Sequence, residues 1–374
     1  MKNKLDQWII SISFCAFLLG MLVLYLFLPK HTLSRQEKRY LAKTPVISWE
    51  SLRSGDFSEK AEAYMADHVP GRNFFVGLNA YYKLLTGRQA SEEILLTRDN
   101  RLVERPLQGN PAAVAKNMEI IRKFAEGIDA PVQLMIIPSS GWAAGDSISG
   151  LREGYRDREI IQNIYAAAGE GIQTIDIVSA FAQTGQPEQF YYKTDHHWNS
   201  LGAYTAYREY MKFLGKPYRA QEDYRIETVP DFHGSTYSRS ALWLTPGDTI
   251  ELWHGGESLS VLHEERQTAH PGVFFLERLE EADKYTVFLD GNHSLLRVNN
   301  ADCAGQGKLL VIRDSFSNCL GGFLADSYET VVLVDLRYYK KAVSELLKED
   351  TYDQVLICYS LGNFLTDENI IWLR

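Results

Sequence analysis

Leu309-Leu310-Val311-Ile312-Arg313-Asp314-Ser315-Phe316 is the stretch on which the reading of this chain turns. Four consecutive apolar residues with no polar alternation read as a strand buried on both faces, the pattern of a parallel sheet. A polar turn follows, and the composition predicts a helix over Phe316–Leu324. Ser315 then stands at the N-terminus of that helix, where unbonded N–H groups and the helix dipole favour negative charge. Both features help a serine alkoxide, or the oxyanion it creates on a carbonyl. The plain alternative is that Asp314 or Ser315 merely caps the helix. On this segment alone that alternative is the better one.

Working outward, the same rhythm continues. Downstream, Thr330–Val334 reads as a strand, Tyr339–Leu347 as a helix and Gln354–Cys358 as a strand. Upstream, Pro111–Phe124, Arg156–Ala168 and Leu201–Leu214 read as helices. Val132–Ile137, stopped by Pro138, and Thr174–Ile177 read as strands. This alternation predicts an α/β fold with a parallel sheet and helices on both faces. Residues 225–300 break the rhythm with short runs such as Tyr285-Thr286-Val287-Phe288-Leu289, read as a β-rich insertion. Nearer the start, Phe57–Leu85 carries apolar residues at helical spacing, and Pro70-Gly71 divides it into two helices. Ile94–Thr97 and Arg101–Val103 flank Arg98-Asp99-Asn100 as a hairpin.

Trp8–Leu28 contains no charged residue. It is long enough for a helix spanning the hydrocarbon core, which takes roughly 20 residues. A cleaved secretory signal has an apolar region of about 7–15 residues and a small-residue cleavage site. Here Pro29-Lys30-His31 follows instead, so an uncleaved transmembrane anchor is expected. The predicted organisation is an anchor over 1–29, a juxtamembrane linker with helical and hairpin lead-in over 30–106, and a catalytic domain over 107–374. Lys2 and Lys4 precede the span, whereas Lys30, Arg35, Lys38, Arg39 and Lys43 follow it. Taken alone, the positive-inside rule would put the large domain in the cytoplasm.

The 374 residues suffice for one large domain or two ordinary ones, and 45% apolar content supports a normal core. A net charge of −9 argues against nonspecific nucleic-acid binding. The 21 Tyr and 7 Trp suit sugar stacking, and equally a plain core. Cys15 lies in the apolar segment, which leaves Cys303, Cys319 and Cys358, an odd number that gives no disulfide framework. No cysteine pair has zinc spacing, and no metal or cofactor is expected.

A second polar string is Tyr191-Tyr192-Lys193-Thr194-Asp195-His196-His197-Trp198-Asn199. In an extended chain, residues two apart project to one side. Asp195 would then orient and charge-stabilise His197 as a carboxylate does for the base of a nucleophilic triad, with His196 pointing the other way. The bland alternative is a hydrogen-bonding loop that caps the helix near Leu201.

The Asp195-His196-His197-Trp198 string, with Arg313-Asp314-Ser315-Phe316 downstream, resembles the DHHW family. That family is related to alginate O-acetylation proteins and, more distantly, to SGNH hydrolases. Asp67-His68-Val69-Pro70-Gly71-Arg72 and Gly291-Asn292-His293 also look like family strings, with Asp67 and Arg72 taken as structural. The resemblance implies Ser315 as nucleophile, His197 as base and Asp195 as its orienter. It implies an SGNH-like fold with a circularly permuted motif order, since the Asp-His pair precedes the serine. Gly145-Asp146-Ser147 spells the SGNH nucleophile tripeptide, but its strand ended at Pro138, and too few strands fit between it and Asp195. Arg337 and Asn363 follow the next two strands and are oxyanion-hole candidates, because carboxyl ends of adjacent parallel strands form one rim. Asn292, Trp198 and Tyr192 complete the candidate substrate or oxyanion contacts.

The implied activity is that of a cell-envelope polysaccharide O-acetyltransferase or acetylesterase working through an acetyl-serine. The resemblance also implies an extracytoplasmic domain anchored to the cell membrane through residues 8–28, and a membrane-bound O-acyltransferase partner of the MBOAT type. The resemblance and the Lys/Arg count thus imply opposite orientations, and the extracytoplasmic one is expected. Two other readings compete: a non-catalytic glycan-binding or assembly subunit, and a metallophosphoesterase, since Asp-His-His also names a manganese-binding motif.

Overall fold

The computed structural model describes residues 2–106, 109–148, 154–264 and 268–374. They divide into two units, Met1–Ser91 with Ser238–Leu244, and Glu92–Tyr237 with Thr245–Arg374.

The first unit opens with α1 (Lys2–Phe27). Within it Asp6–Phe27 is long and apolar enough to cross a membrane, and none of its most apolar stretch is buried. A two-residue ladder of β1 (Leu33–Ser34) and β2 (Arg39–Tyr40) follows, then α2 (Trp49–Ser54), α3 (Asp56–Asp67) and α4 (Arg72–Leu85). The break between α3 and α4 falls at Pro70-Gly71, as the sequence predicts. The Asp67–Arg72 string is held by ion pairs. Asp67 accepts from Arg39 Nη1 (2.9 Å) and from the Ala42 N–H (2.8 Å), while Arg72 pairs with Glu37. The hydrogen bond from Arg39 is the chief cause that holds the Asp67 carboxyl down at about 2.

In the second unit, which begins at Glu92, β3 (Ile94–Leu96) and β4 (Leu102–Glu104) form the expected hairpin. The chain continues through α5 (Pro111–Glu126), β5 (Val132–Ile137), α6 (Ser140–Ala144), α7 (Asp157–Ala166), β6 (Ile172–Thr174), α8 (Ile177–Ala182) and α9 (Ser200–Phe213). Then come β7 (Arg225–Phe232), α10 (Ser235–Ser240, which begins in this unit), β8 (Asp248–His254), β9 (Leu259–His263), β10 (His270–Pro271) and β11 (Leu295–Asn300). The chain ends with β12 (Lys308–Arg313), α11 (Ser317–Ala325), β13 (Thr330–Val334), α12 (Val343–Glu349), β14 (Gln354–Ser360) and α13 (Leu361–Thr366).

Eight strands make one mixed, parallel-rich sheet among the described residues, in the order β10-β9-β11-β13-β12-β14-β5-β6. The run from β13 to β6 is parallel, and β11, β9 and β10 add antiparallel pairs at one side. Residues alternate between two cores. Leu309, Val311, Val331, Leu333, Leu356 and Cys358 face the cluster that includes α9 and α11. Leu310, Ile312, Val332, Val334, Val355 and Ile357 face the one that includes α5, α7, α12 and α13. Uninterrupted apolar strands are thus required by burial on both faces.

Two expectations need correction. Residues 225–300 are not one insertion. β7 and β8 pair as a separate ribbon, whereas β9, β10 and β11 extend the main sheet. Tyr285–Leu289 is not one strand: Lys284–Val287 is a 3-10 turn, and Phe288 makes an isolated antiparallel bridge with Phe274. The second is Thr174–Ile177. Its strand is Ile172–Thr174, and the Asp176 carboxylate accepts the Ser179 N–H (2.9 Å), starting α8 at Ile177.

Candidate active site

β12 lies between β13 and β14, and the chain runs from it to one side and then back to the other. The crevice at the carboxyl end of such a strand is where open α/β sheets place their ligands. Arg313 closes β12, and Asp314-Ser315-Phe316 turns into α11. Asp314 is fully buried and gathers donors from the turn and from the neighbouring strand end. Its Oδ1 accepts the Phe316 N–H (3.0 Å), and its Oδ2 accepts the Ser360 N–H (2.8 Å), the Ser360 hydroxyl (2.7 Å) and Asn363 Nδ2 (2.8 Å). Asp314 thus braces the turn against β14 and α13, and the Ser315 hydroxyl has a different partner.

That partner is His197. Its Nε2 lies 2.8 Å from Ser315 Oγ, and its Nδ1 lies 2.6 Å from Asp195 Oδ1. Asp195 also accepts the His197 N–H (2.9 Å) and the Ser235 N–H (2.5 Å). Asp195 is 1% exposed, His197 6% and Ser315 8%, so the three are nearly withdrawn from bulk water while the serine keeps a narrow opening. The His197 ring stacks on Tyr285, with centroids 3.9 Å apart and planes 8° apart.

The route by which Asp195 meets His197 differs from strand alternation. Residues 193–197 bend, and the carboxylate folds back on the N–H two residues on. His196 therefore does not point the other way. Its ring lies 3.8 Å from that of His197, and its Nδ1 is 2.5 Å from Ser235 Oγ. Asp195, His196 and His197 could by spacing hold an ion, their ligand atoms lying within 4.8 Å of one another. Both nitrogens of His197, however, are already engaged by Asp195 and Ser315.

Several parts of this cradle come from outside the two motifs. Asp248, at the start of β8, accepts the N–H groups of Lys193 (2.9 Å) and Thr194 (2.8 Å) and the Thr194 hydroxyl (2.6 Å). Gly234 packs so closely that an added Cβ would lie 2.2 Å from Asp195 Cβ. The Phe232-His233-Gly234-Ser235 string was the available clue, since a glycine beside a polar loop marks close backbone approach.

The remaining candidates are placed variously. Trp198 and Tyr192 are 0% and 3% exposed, and Trp198 Nε1 donates to the Phe316 carbonyl (2.9 Å). Neither offers a ring face to a sugar; they pack the core beneath the site. Asn363 is held on Asp314. Arg337 makes a two-pronged pair with Asp335 (Nε 2.9 Å, Nη2 2.6 Å). Burial works against the Arg337 charge, but Asp335 outweighs it and holds its pKa above the ordinary value. Asn292 is exposed, and its Oδ1 accepts from Asn318 Nδ2 (3.1 Å) and Arg313 Nη1 (3.4 Å), residues on either side of Ser315. Arg313 itself is wholly buried, which pulls its pKa down, and it also donates to Asn318. Asn292 and Arg337 line one open cleft with His293, Tyr338, Lys340 and Lys341, and Tyr338 is 53% exposed. Ser147 is elsewhere: its hydroxyl donates to the Ala144 carbonyl (2.8 Å), and the Asp146 side chain lies outside the described residues.

A DHHW family protein from Eubacterium siraeum DSM 15702 is 22% identical, with a TM-score of 0.64 over 74% of this chain and 93% of that one. Bacillus cereus PatB1, solved with a sulfonyl adduct, is 22% identical, with a TM-score of 0.63 over 75% of this chain and 98% of that one. These two likenesses are ones of fold. No curated protein matches the chain. The DHHW protein family matches residues 108–334, which include the Asp195-His196-His197-Trp198 string and Ser315, and the chain belongs to that family.

Proposed function

We propose that this chain is a serine-dependent O-acetyltransferase or acetylesterase acting on a cell-envelope polysaccharide. The observation that carries the reading is the contact of His197 Nε2 with Ser315 Oγ at 2.8 Å, with Asp195 on the other ring nitrogen. His197 takes the hydroxyl proton as Ser315 Oγ attacks an acetyl carbonyl, and the departing alcohol leaves with that proton. The acetyl group then rests on Ser315. A second hydroxyl, from a sugar or from water, gives its proton to His197 and takes the acetyl group, restoring the serine. Which of the two arrives decides transferase or esterase.

The negative oxygen formed on the carbonyl needs donors. The Ser315 N–H and Asn292 Nδ2 are the best placed, as neither meets a protein acceptor among the described residues. Arg337 and Asn363, committed to Asp335 and Asp314, serve better as supports for the rim. Tyr338 is the exposed ring on which a sugar can stack. The order of the motifs supports a circularly permuted SGNH-like arrangement: β5 and β6 precede the serine strand in sequence but lie to its side, beyond β14.

In this reading α1 anchors the protein in the cell membrane with the Ser315 domain outside, and a membrane-bound O-acyltransferase hands acetyl groups across. The anchor would raise the concentration of Ser315 beside such a partner. To test the activity, residues 30–374 are purified and acetate release from an activated acetyl ester is measured. Release by the parent and its loss in Ser315→Ala support the proposal; equal release by both rejects it. A sulfonyl fluoride offers a parallel test, since it should block release and label Ser315.

A further inference from the structure

A second group of metal-ligating side chains lies apart from the serine. His263 ends β9, Asp290 stands in the loop before β11, and His293 follows three residues later. One ligand atom from each falls within 4.8 Å of the others. His263 Nε2 is 3.6 Å and His293 Nε2 3.3 Å from Asp290 Oδ2, and the two rings meet edge to face with centroids 4.2 Å apart. These separations are longer than ordinary N–H···O bonds. They match the edges of a tetrahedral site, because ligands at about 2.0–2.2 Å from a zinc-like ion stand roughly 3.4 Å from each other.

We propose that His263, Asp290 and His293 bind a divalent transition-metal ion of the zinc type. Two imidazoles and one carboxylate are a borderline donor set suited to such an ion, and water fills the fourth position. The carboxylate is already oriented, for Arg278 Nε donates to Asp290 Oδ1 at 2.5 Å, the outer-shell arrangement that fixes metal ligands. His263 is 2% exposed and the His293 side chain 22%, so an ion has a way in from one side. Binding would replace the contact of His293 Nε2 with the Asp290 carbonyl oxygen (3.0 Å). Nearby charges are Arg278 with Glu281, and Glu264, which pairs with Lys341.

The loop between these ligands explains what an ion would do. Leu289, Asp290 and Gly291 take φ values of 55°, 62° and 81°, three left-handed residues in succession, two of them not glycine. Such backbone persists only where its surroundings enforce it. The same loop presents Asn292 to Arg313 and Asn318 beside Ser315. An ion held by residues 263, 290 and 293 would fasten this loop and keep Asn292 in place, a structural duty that does not depend on acetyl transfer.

The test uses the full chain in detergent micelles with a histidine-free tag, stripped with chelator and titrated with Zn2+ and with Co2+. The proposal expects one equivalent bound, a visible Co2+ spectrum of tetrahedral type and a raised Tm with Zn2+. His293→Ala should abolish the spectrum and the Zn2+-dependent rise in Tm, while its melting in chelator stays close to that of the parent. Arg278→Gln should keep the site but weaken it about 10–100-fold. His197→Ala should bind as the parent does. Absence of stoichiometric binding overturns the proposal. So does binding that survives His293→Ala and is lost in His197→Ala, which would put the ion at the Asp195 group.

Discussion

His197 Nε2 and Ser315 Oγ stand 2.8 Å apart although 118 residues separate them in the chain. Residues that act as one catalytic unit lose their effect together. His197→Ala and Ser315→Ala should each lower kcat on an acetyl ester by on the order of 10⁴-fold or more, and the double variant should be no worse than either. Additive losses in the three variants, measured at matched thermal stability, would mean the two side chains work independently.

His196 tests the same assignment from its neighbour. It lies against the His197 ring but holds Ser235 rather than Ser315. His196→Ala should keep activity within about tenfold of the parent, the scale of a misplaced neighbour rather than of a lost base. A loss as deep as that of His197→Ala, with folding intact, would reassign the base.

Gly234 leaves no room for a side chain beside Asp195. Gly234→Ala should cost about 1–3 kcal/mol in urea unfolding by overpacking. It should also lower kcat, because Asp195 must shift to admit the methyl group. Unchanged stability and kcat would show that the close approach is not needed.

Asp314→Ala removes the acceptor of four hydrogen bonds and strands the Ser360 N–H and Asn363 in a buried place. A stability loss of about 3 kcal/mol is expected, each unmet buried group costing about 1–3 kcal/mol. Asp314→Asn should be milder, as it keeps one acceptor oxygen. Equal effects from both would point to charge rather than hydrogen bonding.

In the first unit, Arg39 holds the Asp67 carboxyl below its ordinary value, down at about 2. A depressed carboxyl stabilises the folded state above the unfolded value of 3.8, and this is lost as pH falls through about 2. Thermal melts between these limits should show Asp67→Asn losing less stability with acid than the parent. Identical acid sensitivity would remove Asp67 from the account.

Much of this was legible from the residues. The unbroken apolar runs of β5, β12, β13 and β14 announced a sheet covered on both sides, because such strands have no polar face to give to water. The candidate triad, Asp195, His197 and Ser315, stands out by residue type and by family resemblance, and the structure brings its three side chains together. What did not show was whatever depends on contacts distant in the chain. Asp248 and Ser235 reach the Asp195 loop from about 40 to 55 residues downstream, and no local pattern announces them. His196 was misdirected because a bend, not a strand, joins Asp195 to His197. Trp198 and Tyr192, candidate substrate or oxyanion contacts in the sequence, are core rings, because aromatic composition does not distinguish a buried ring from an exposed one; the exposed ring is Tyr338, on a rim turn.

The most direct test of the central claim is the covalent state of Ser315 during turnover. The protein is mixed with an activated acetyl ester, quenched in acid within the burst, and mapped by peptide mass spectrometry. The account predicts one acetyl group, carried by the peptide that contains Ser315 and absent from Ser315→Ala. An acetyl group on Ser147 or another residue, together with turnover that survives Ser315→Ala, would contradict it.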